Sequence, residues 1–450
     1  MKLTDEPGTL KPLLWLAAPV LAEQLLHMLV GQSDTWITGR YLREPVYLAT
    51  VNSIIYLLWL LTEVFVFLAI GSTALIARFI GAGDRESAER ITNQSMLGGA
   101  VVSVAATLAG LLFGENLAHA MSLQGEEAAL AARYLSYVFP VMPCIMLETV
   151  GVACLRGAGD TKSGMWAMVL VNVVHITVSW TLAVGWGPFP AWGWDGIAIG
   201  TACGHLAGGA VILGLLIRGR AGLKLRRPLL RPDWPLLHRI LRIGLPGGLD
   251  MLAVLFCQLW FVKIINELGV LPAAAHGVAL RIESWAFSPG TAFQVAVGTL
   301  VGQYLGAGDP RRAGRCVMMA GVVGGGFMVL MGVLFYTQAT FLVGLMVGPE
   351  KQNVVEMAAP LLQTVALAMP ALAAVMMISG ALRGAGDTRW PLLITIVGFL
   401  GVRIPLAYLL AQSWGWGVQG AWYAMLTDLS VRAVLISYRF LHGGWKRVKV

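Results

Sequence analysis

Long apolar runs separated by short polar ones recur along the whole chain. Stretches such as GMWAMVLVNVVHITVSWTLAVGW at 164–186 and CVMMAGVVGGGFMVLMGVLFY at 316–336 contain no Asp, Glu, Lys or Arg. Each has the roughly 20 residues that a helix needs to cross about 30 Å of hydrocarbon. The pattern predicts twelve such helices, at 13–39, 46–71, 92–115, 131–154, 164–186, 195–217, 240–268, 272–300, 316–341, 355–381, 391–412 and 416–440. The expected class is an all-α integral membrane protein.

Composition agrees with the pattern. The chain is 57% hydrophobic and 12% charged, with a mean hydropathy of +0.73, whereas a soluble domain carries about a quarter charged residues. MKLTDEPGTLKPLLWL at the start has no A-x-A cleavage pattern behind its apolar run, so it reads as a short cytoplasmic lead into a retained first helix. Cys144, Cys154, Cys203, Cys257 and Cys316 stand singly, which suggests neither a disulfide framework nor a metal site.

The net charge of +8 would suit nucleic acid, but its placement points to a membrane. With both termini cytoplasmic, 24 of the 32 Lys and Arg fall at the termini and in loops after even-numbered spans. Arg40, Arg43, Arg133 and Lys351 fall on the other side, and Lys263, Arg281, Arg403 and Arg432 within or at the edges of spans. This is the positive-inside bias, and it predicts the orientation. The basic run RGRAGLKLRRPLLRPDWPLLHRILR at 218–242 is then a cytoplasmic linker facing anionic lipid rather than a nucleic-acid site.

The chain also repeats itself. CLRGAGDTK at 154–162 returns as ALRGAGDTR at 381–389, ALIARFIGAGDRESAER at 74–90 as TLVGQYLGAGDPRRAGR at 299–315, and AWGWDGIAIGTA at 191–202 as SWGWGVQGAWYA at 413–424. Each half therefore carries six spans with the same markers, in the same orientation because six is even. We expect an N-lobe (1–217), a linker (218–239) and a C-lobe (240–450), two parallel repeats around a central cleft that rocking opens to either side. A transporter is the natural reading. The glycines of LRGAGDTK do not make a phosphate cradle, which needs GxxxxGK[ST] between a strand and a helix. They predict tight cytoplasmic turns, with Arg156 and Arg383 at the inner membrane surface and Asp160 and Asp387 capping the next helix.

The doubled octad, the two other GAGD loops and QSDTWITG at 32–39, set in a six-plus-six plan, resemble the multidrug and toxic compound extrusion (MATE) transporters over essentially the whole chain. The resemblance implies a V-shaped antiporter that exports amphipathic, often cationic compounds against inward H+ or Na+. It implies no enzyme activity and no cofactor beyond the coupling ion. A monomer in the inner (plasma) membrane, with small organic cations as cargo, is the corresponding expectation.

A carboxylate in hydrocarbon costs roughly 3 kcal/mol on insertion scales, so each one needs a reason. Helix 1 carries Glu23, His27 and Asp34, which spacings of 4 and 11 place within roughly 40° of one another. Helix 2 carries Asn52, Tyr56 and Glu63, helix 4 Glu148 beyond Pro140 and Pro143, and helix 5 Asn172 and His175. They predict a water-accessible pocket whose carboxylates exchange protons or a cation, against the alternative that they only hold the N-lobe together. Asp34 also coincides with the acid of the family's first-helix motif. Glu23, His27, Glu63, Asn172 and His175 complete the candidate set.

The C-lobe is poorer in acids. Aligned on Pro19 and Pro246, Asp250 replaces Glu23, Val254 replaces His27 and Phe261 replaces Asp34. Asp250, Gln258, Glu283 and Arg403 form a candidate polar site, with Asp250 or Glu283 as partner of Arg403. Arg281 with Glu283 and Asp428 with Arg432 are expected as structural ion pairs. The family's Na+-coupled branch usually has acids in helices 7 and 10, where this chain has Val254 and only Glu356 at the start of helix 10. Its proton-coupled branch usually has an Asn and an Asp in helix 5, where this chain has His175 and Ser179. Proton coupling through the N-lobe is preferred. Trp192, Trp194, Trp414 and Trp416 are expected as interface anchors. A lipid-linked saccharide flippase of the same superfamily is the alternative, although it would call for a cavity rich in Arg and Lys. No HExxH motif or Ser/His dyad argues for an intramembrane enzyme.

Overall fold

The computed structural model describes residues 6–42, 44–120, 123–348 and 350–448; Arg43 lies outside them. The described chain is helical, with no strand. Its long helices are α1 (Leu10–Tyr41), α2 (Pro45–Ala82), α3 (Arg85–Ala120), α4 (Gly125–Gly157), α5 (Lys162–Val184), α6 (Trp194–Ile217), α7 (Trp234–Asn266), α8 (Val270–Gly306), α9 (Pro310–Thr337), α10 (Gln352–Gly384), α11 (Arg389–Ser413) and α12 (Gly417–His442). Ten of these are long and apolar enough to cross a membrane. The other two, α8 and α12, include Arg281 and Glu283, and Asp428, Arg432 and Arg439, whose polarity lowers their mean hydropathy.

Several helices are locally rewound. In α4 the prolines Pro140 and Pro143 accompany a 3-10 turn at Phe139–Val141, and a π turn lies just beyond at Leu147–Gly151. In α11, π turns occupy Val397–Arg403 and Tyr408–Ser413. Each π turn inserts a residue and rotates the rest of its helix about the axis.

The four GAGD sequences adopt one turn. Their second glycines have φ of +81° (Gly83), +89° (Gly159), +77° (Gly308) and +84° (Gly386), a conformation that costs residues with a Cβ about 1–2 kcal/mol. The next amide closes each helix end, from Asp84 to Phe79, Asp160 to Leu155, Asp309 to Tyr304 and Asp387 to Leu382, at 2.8–2.9 Å. This is the Schellman arrangement. Three of the aspartates then cap the following helix, accepting from the amides of Ser87 (3.0 Å), Ser163 (3.2 Å) and Arg312 (2.8 Å). The Ser87 hydrogen bonds hold the exposed Asp84 carboxyl below its ordinary value. Asp387 departs from the expected cap and spends a carboxylate oxygen on Arg439 at 2.7 Å.

By contact the chain forms two units, residues 18–244 and residues 1–17 with 245–450. The divisions fall inside α1 and α7, beside Pro19 and Pro246. In the first unit the basic segment after α6 is ordered by two buried amides of α3. Asn93 donates to the Lys224 carbonyl and accepts from the Arg226 amide, while Gln94 donates to the carbonyls of Leu229 and Arg231 and accepts from the Asp233 amide. The second unit has a continuous apolar core that includes Trp422, Phe335, Phe261 and Trp445. Within it Gly384 lets α10 cross α8 so closely that a Cβ there would meet the Gly298 carbonyl.

Candidate functional site: the buried ionisable clusters

The repeated octad builds the same staple in each unit. Arg156 donates to Glu23 of α1, and Arg383 Nη2 lies 2.5 Å from Asp250 Oδ2 of α7. The acids stand four residues after Pro19 and Pro246, and the spacing of 227 between the arginines recurs between the acids. The octad aspartates reach the end of their own half: Asp160 meets Arg220 beyond α6 at 2.6 Å, and Asp387 meets Arg439 near the end of α12. Glu23 and Asp250 are thus duplicated, arginine-held carboxylates. Neither joins the group around Asp34 or the group around Arg403.

In the first unit α1, α4, α5 and α6 bring four side chains together. Asp34 Oδ1 lies 2.8 Å from His175 Nε2, yet neither atom makes an aligned hydrogen bond. Tyr134 donates to Asp34 Oδ2 over a long 3.4 Å and lies 2.7 Å from the Thr201 hydroxyl. Ser33 Oγ stands 3.5 Å from His175 Nδ1. All four main members are buried, His175 and Tyr134 completely. The arrangement sets a buried carboxylate against an imidazole, with a tyrosine and a serine hydroxyl beside them.

The remaining N-terminal candidates lie elsewhere. Asn172 ties α5 to α1 by donating to the Leu26 carbonyl at 3.1 Å, and to Met168 within its own helix. His27 presents an exposed ring. Glu63 is half-buried on α2. A second acid–histidine pair joins α4 to α6, Glu148 Oε2 with His205 Nδ1 at 2.8 Å.

The second unit has a different centre. Asp428 Oδ2 accepts from Arg403 (2.8 Å) and Arg432 (2.9 Å) together. Arg403 also donates to Gln258 at 3.3 Å, and the Phe399 ring lies 4.4 and 4.6 Å from the two guanidinium carbons. Of the expected polar site the structure therefore joins Arg403 to Gln258. Asp250 is taken by Arg383, and the carboxylate in ion-pair contact with Arg403 belongs to α12, while Glu283 of α8 interacts with Arg403 electrostatically. Asp428 with Arg432 forms the expected i,i+4 pair. Arg281 and Glu283 make no ion pair, since residues two apart point to different faces of a helix; Arg281 is exposed. Trp422 donates its indole N–H to His276 Nδ1 at 3.2 Å. Since indole only donates, that ring nitrogen is unprotonated and His276 is held neutral.

Tyr134, Thr201, His205 and His276 join the clusters although sequence reasoning does not single them out. For His205 a signal exists, because GHLAGG at 204–209 surrounds one polar residue with small ones, a mark of close helix contact. Trp194 is also corrected. It is 5% exposed and donates to the Leu130 carbonyl at 3.0 Å, so it packs inside, while Trp192, Trp414 and Trp416 are exposed.

Long apolar helices in two halves with matching staples define a multi-pass membrane protein built as a duplicated helical bundle. The MatE family model matches the chain twice, over residues 19–181 and 246–409, and the chain belongs to that family. It is 28% identical over 443 residues to a probable multidrug resistance protein NorM of Thermotoga maritima, covering 98% of this chain and 94% of the relative. It is 30% identical over 339 residues to a probable multidrug resistance protein NorM of Brucella suis, covering 72% and 69%. Among solved structures, an outward-facing multidrug resistance MATE family transporter of the MOP superfamily superposes with a TM-score of 0.89 at 21% identity, covering 98% of each chain. A MATE in the bent conformation gives 0.89 at 22% identity, covering 98% and 97%. At that identity these two speak for the fold.

Proposed function

We propose that the protein is a proton-coupled antiporter that exports amphipathic organic cations, with Asp34 and His175 as the proton-exchanging pair. The observation that carries the reading is the 2.8 Å approach of His175 Nε2 to Asp34 Oδ1 in a fully buried setting. Oxygen donors suit a hard cation such as Na+, whereas an imidazole nitrogen binds protons well at ordinary pH. A proton and an organic cation then compete for one negative charge, and that competition couples their movements. The multidrug resistance names of the relatives support this cargo class.

In this reading twelve helices span the inner membrane with both termini cytoplasmic, which the positive-inside distribution supports. Residues 1–217 and 240–450 are the N- and C-lobes, joined by 218–239, and alternating access comes from rocking of the lobes. An anionic cargo such as a lipid-linked saccharide would draw on Arg403 and Arg432. Both are buried and already spent on Asp428, which favours the cationic cargo.

The test is transport of a panel of organic cations into inside-out vesicles under an imposed pH gradient or an imposed Na+ gradient. The pH gradient should drive uptake, and Asp34→Asn should lower that response by about tenfold or more. Uptake driven by Na+ alone would overturn the proposal.

A further inference from the structure

We propose that Glu148 and His205 form a second proton-carrying pair in the first unit, so that each transport cycle discharges two buried acid–histidine pairs instead of one. The inference rests on the antiport reading and extends it to residues on α4 and α6.

The choice of partner carries the most weight. Apart from the Asp34 and Glu148 pairs, the best-buried ion-paired carboxylates, Glu23, Asp250, Asp387 and Asp428, are held by arginine, whose charge is permanent. Asp34 and Glu148 instead face histidine, which carries charge only while it holds a proton. Glu148 is also unduplicated. The residue 227 positions on, the spacing that relates the two staples, is Val375.

Local structure supports a site rather than a strut. Glu148 lies in the π turn Leu147–Gly151, and such turns are frequent at functional sites. The side chains of Glu148 and His205 are 14% and 13% exposed, while Glu148 Oε1 is buried without a hydrogen-bond partner. Glycines of α6 make the room. A Cβ at Gly208 would collide with Glu148 Oε1, and one at Gly204 would come 2.9 Å from His175 Cβ. His205 stands between the glycine that admits Glu148 and the one that admits His175, so α6 touches both pairs.

The charged surroundings allow a proton to come and go. His205 interacts with Asp34 as well as with Glu148. From α1, His27 interacts with Glu23, Glu148, His205 and Arg156, and on α4 Cys144 interacts with Glu148. Arg156, which also interacts with His27, is engaged by Glu23. When the pair takes a proton it gains one positive charge, and a cationic cargo nearby favours its release.

The experiment counts protons released when tetraphenylphosphonium saturates the purified full-length protein in weak buffer, read with a pH dye. The wild type should release about two protons per probe bound, and Glu148→Gln and His205→Asn about one each while still binding the probe. Asp34→Asn combined with Glu148→Gln should release none, and Glu148→Asp should restore the wild-type count. If Asp34→Asn lowers the count and Glu148→Gln leaves it unchanged, this inference falls and the antiport reading stands. A wild type that releases no proton overturns both. As a check that needs no variant, probe affinity of the wild type should rise with pH at the slope expected for two protons; a slope of one overturns the second pair.

Discussion

The two units draw their polar centres from corresponding helices, the first, fifth and sixth of each half, and place different charges in them. In one, Asp34 of α1 faces His175 of α5, with Thr201 of α6 reached through Tyr134. In the other, Gln258 of α7 and Arg403 of α11 meet Asp428 and Arg432 of α12. The first sets a carboxylate against an imidazole. The second contains two guanidiniums that do not deprotonate in proteins, and the Glu283 carboxyl of α8 interacts with Arg403 from beside them. Even the buried histidines follow this division, since His175 faces a carboxylate while His276 accepts from the Trp422 indole. Duplication has kept the staples and let the centres diverge, one built on a carboxylate facing an imidazole and the other on a carboxylate between two guanidiniums.

The comparison breaks most sharply at Asp428. Asp428→Asn removes the carboxylate that the buried Arg403 and Arg432 share, and loss of one partner from a buried ion pair costs about 3–5 kcal/mol. We expect much reduced yield and a large fall in the thermal unfolding temperature of the purified protein. Asp34→Asn, which leaves no permanent charge behind, should stay folded. Equal destabilisation by the two would erase the distinction.

Transport sharpens the same contrast. Asp34→Asn should lower uptake driven by a pH gradient by about tenfold or more with little change in unfolding temperature. Gln258→Ala, which touches only the arginine centre, should keep the response to the gradient, as vesicle assays would show.

The shared staples should behave alike. Arg156→Ala and Arg383→Ala each leave a buried carboxylate without its donor, at a cost of about 1–3 kcal/mol. Clearly unequal losses in denaturant or thermal unfolding would mean that only one staple bears load. The smallest effect belongs to Trp422→Phe, which removes one hydrogen bond to His276, worth about 1 kcal/mol. It should lower the unfolding temperature slightly and leave transport intact.

Spans, duplication and the polar face of α1 are legible in the sequence because they depend on local periodicity and on repeated residues. The octads announce their turns, and the matching acids after Pro19 and Pro246 announce positions that Arg156 and Arg383 explain. Partners across helices are less legible. Spacing alone makes Asp428 a partner for Arg432 four residues away, while its bond to Arg403 depends on how α11 and α12 are rotated. The π turn ending at Arg403 shifts that rotation by a residue, which no regular helical spacing anticipates. Tyr134 and His205 escape sequence reasoning for the same reason, since depth and rotation of α4 and α6 set what they meet. Trp194 misleads because a tryptophan at a helix end suits an interface as well as a neighbouring helix, and only packing against Leu130 decides between them.

The central claim is that one unit exchanges protons at its buried centre and the other does not. Selective 15N labelling of the seven histidine imidazoles, with a pH titration read by NMR in the folded protein, tests it directly. The His175 signals should move with pH and lose that response in Asp34→Asn, while those of His276 keep the neutral form with its proton on Nε2 throughout. A His276 that becomes doubly protonated, beside a His175 that never changes, would contradict the account.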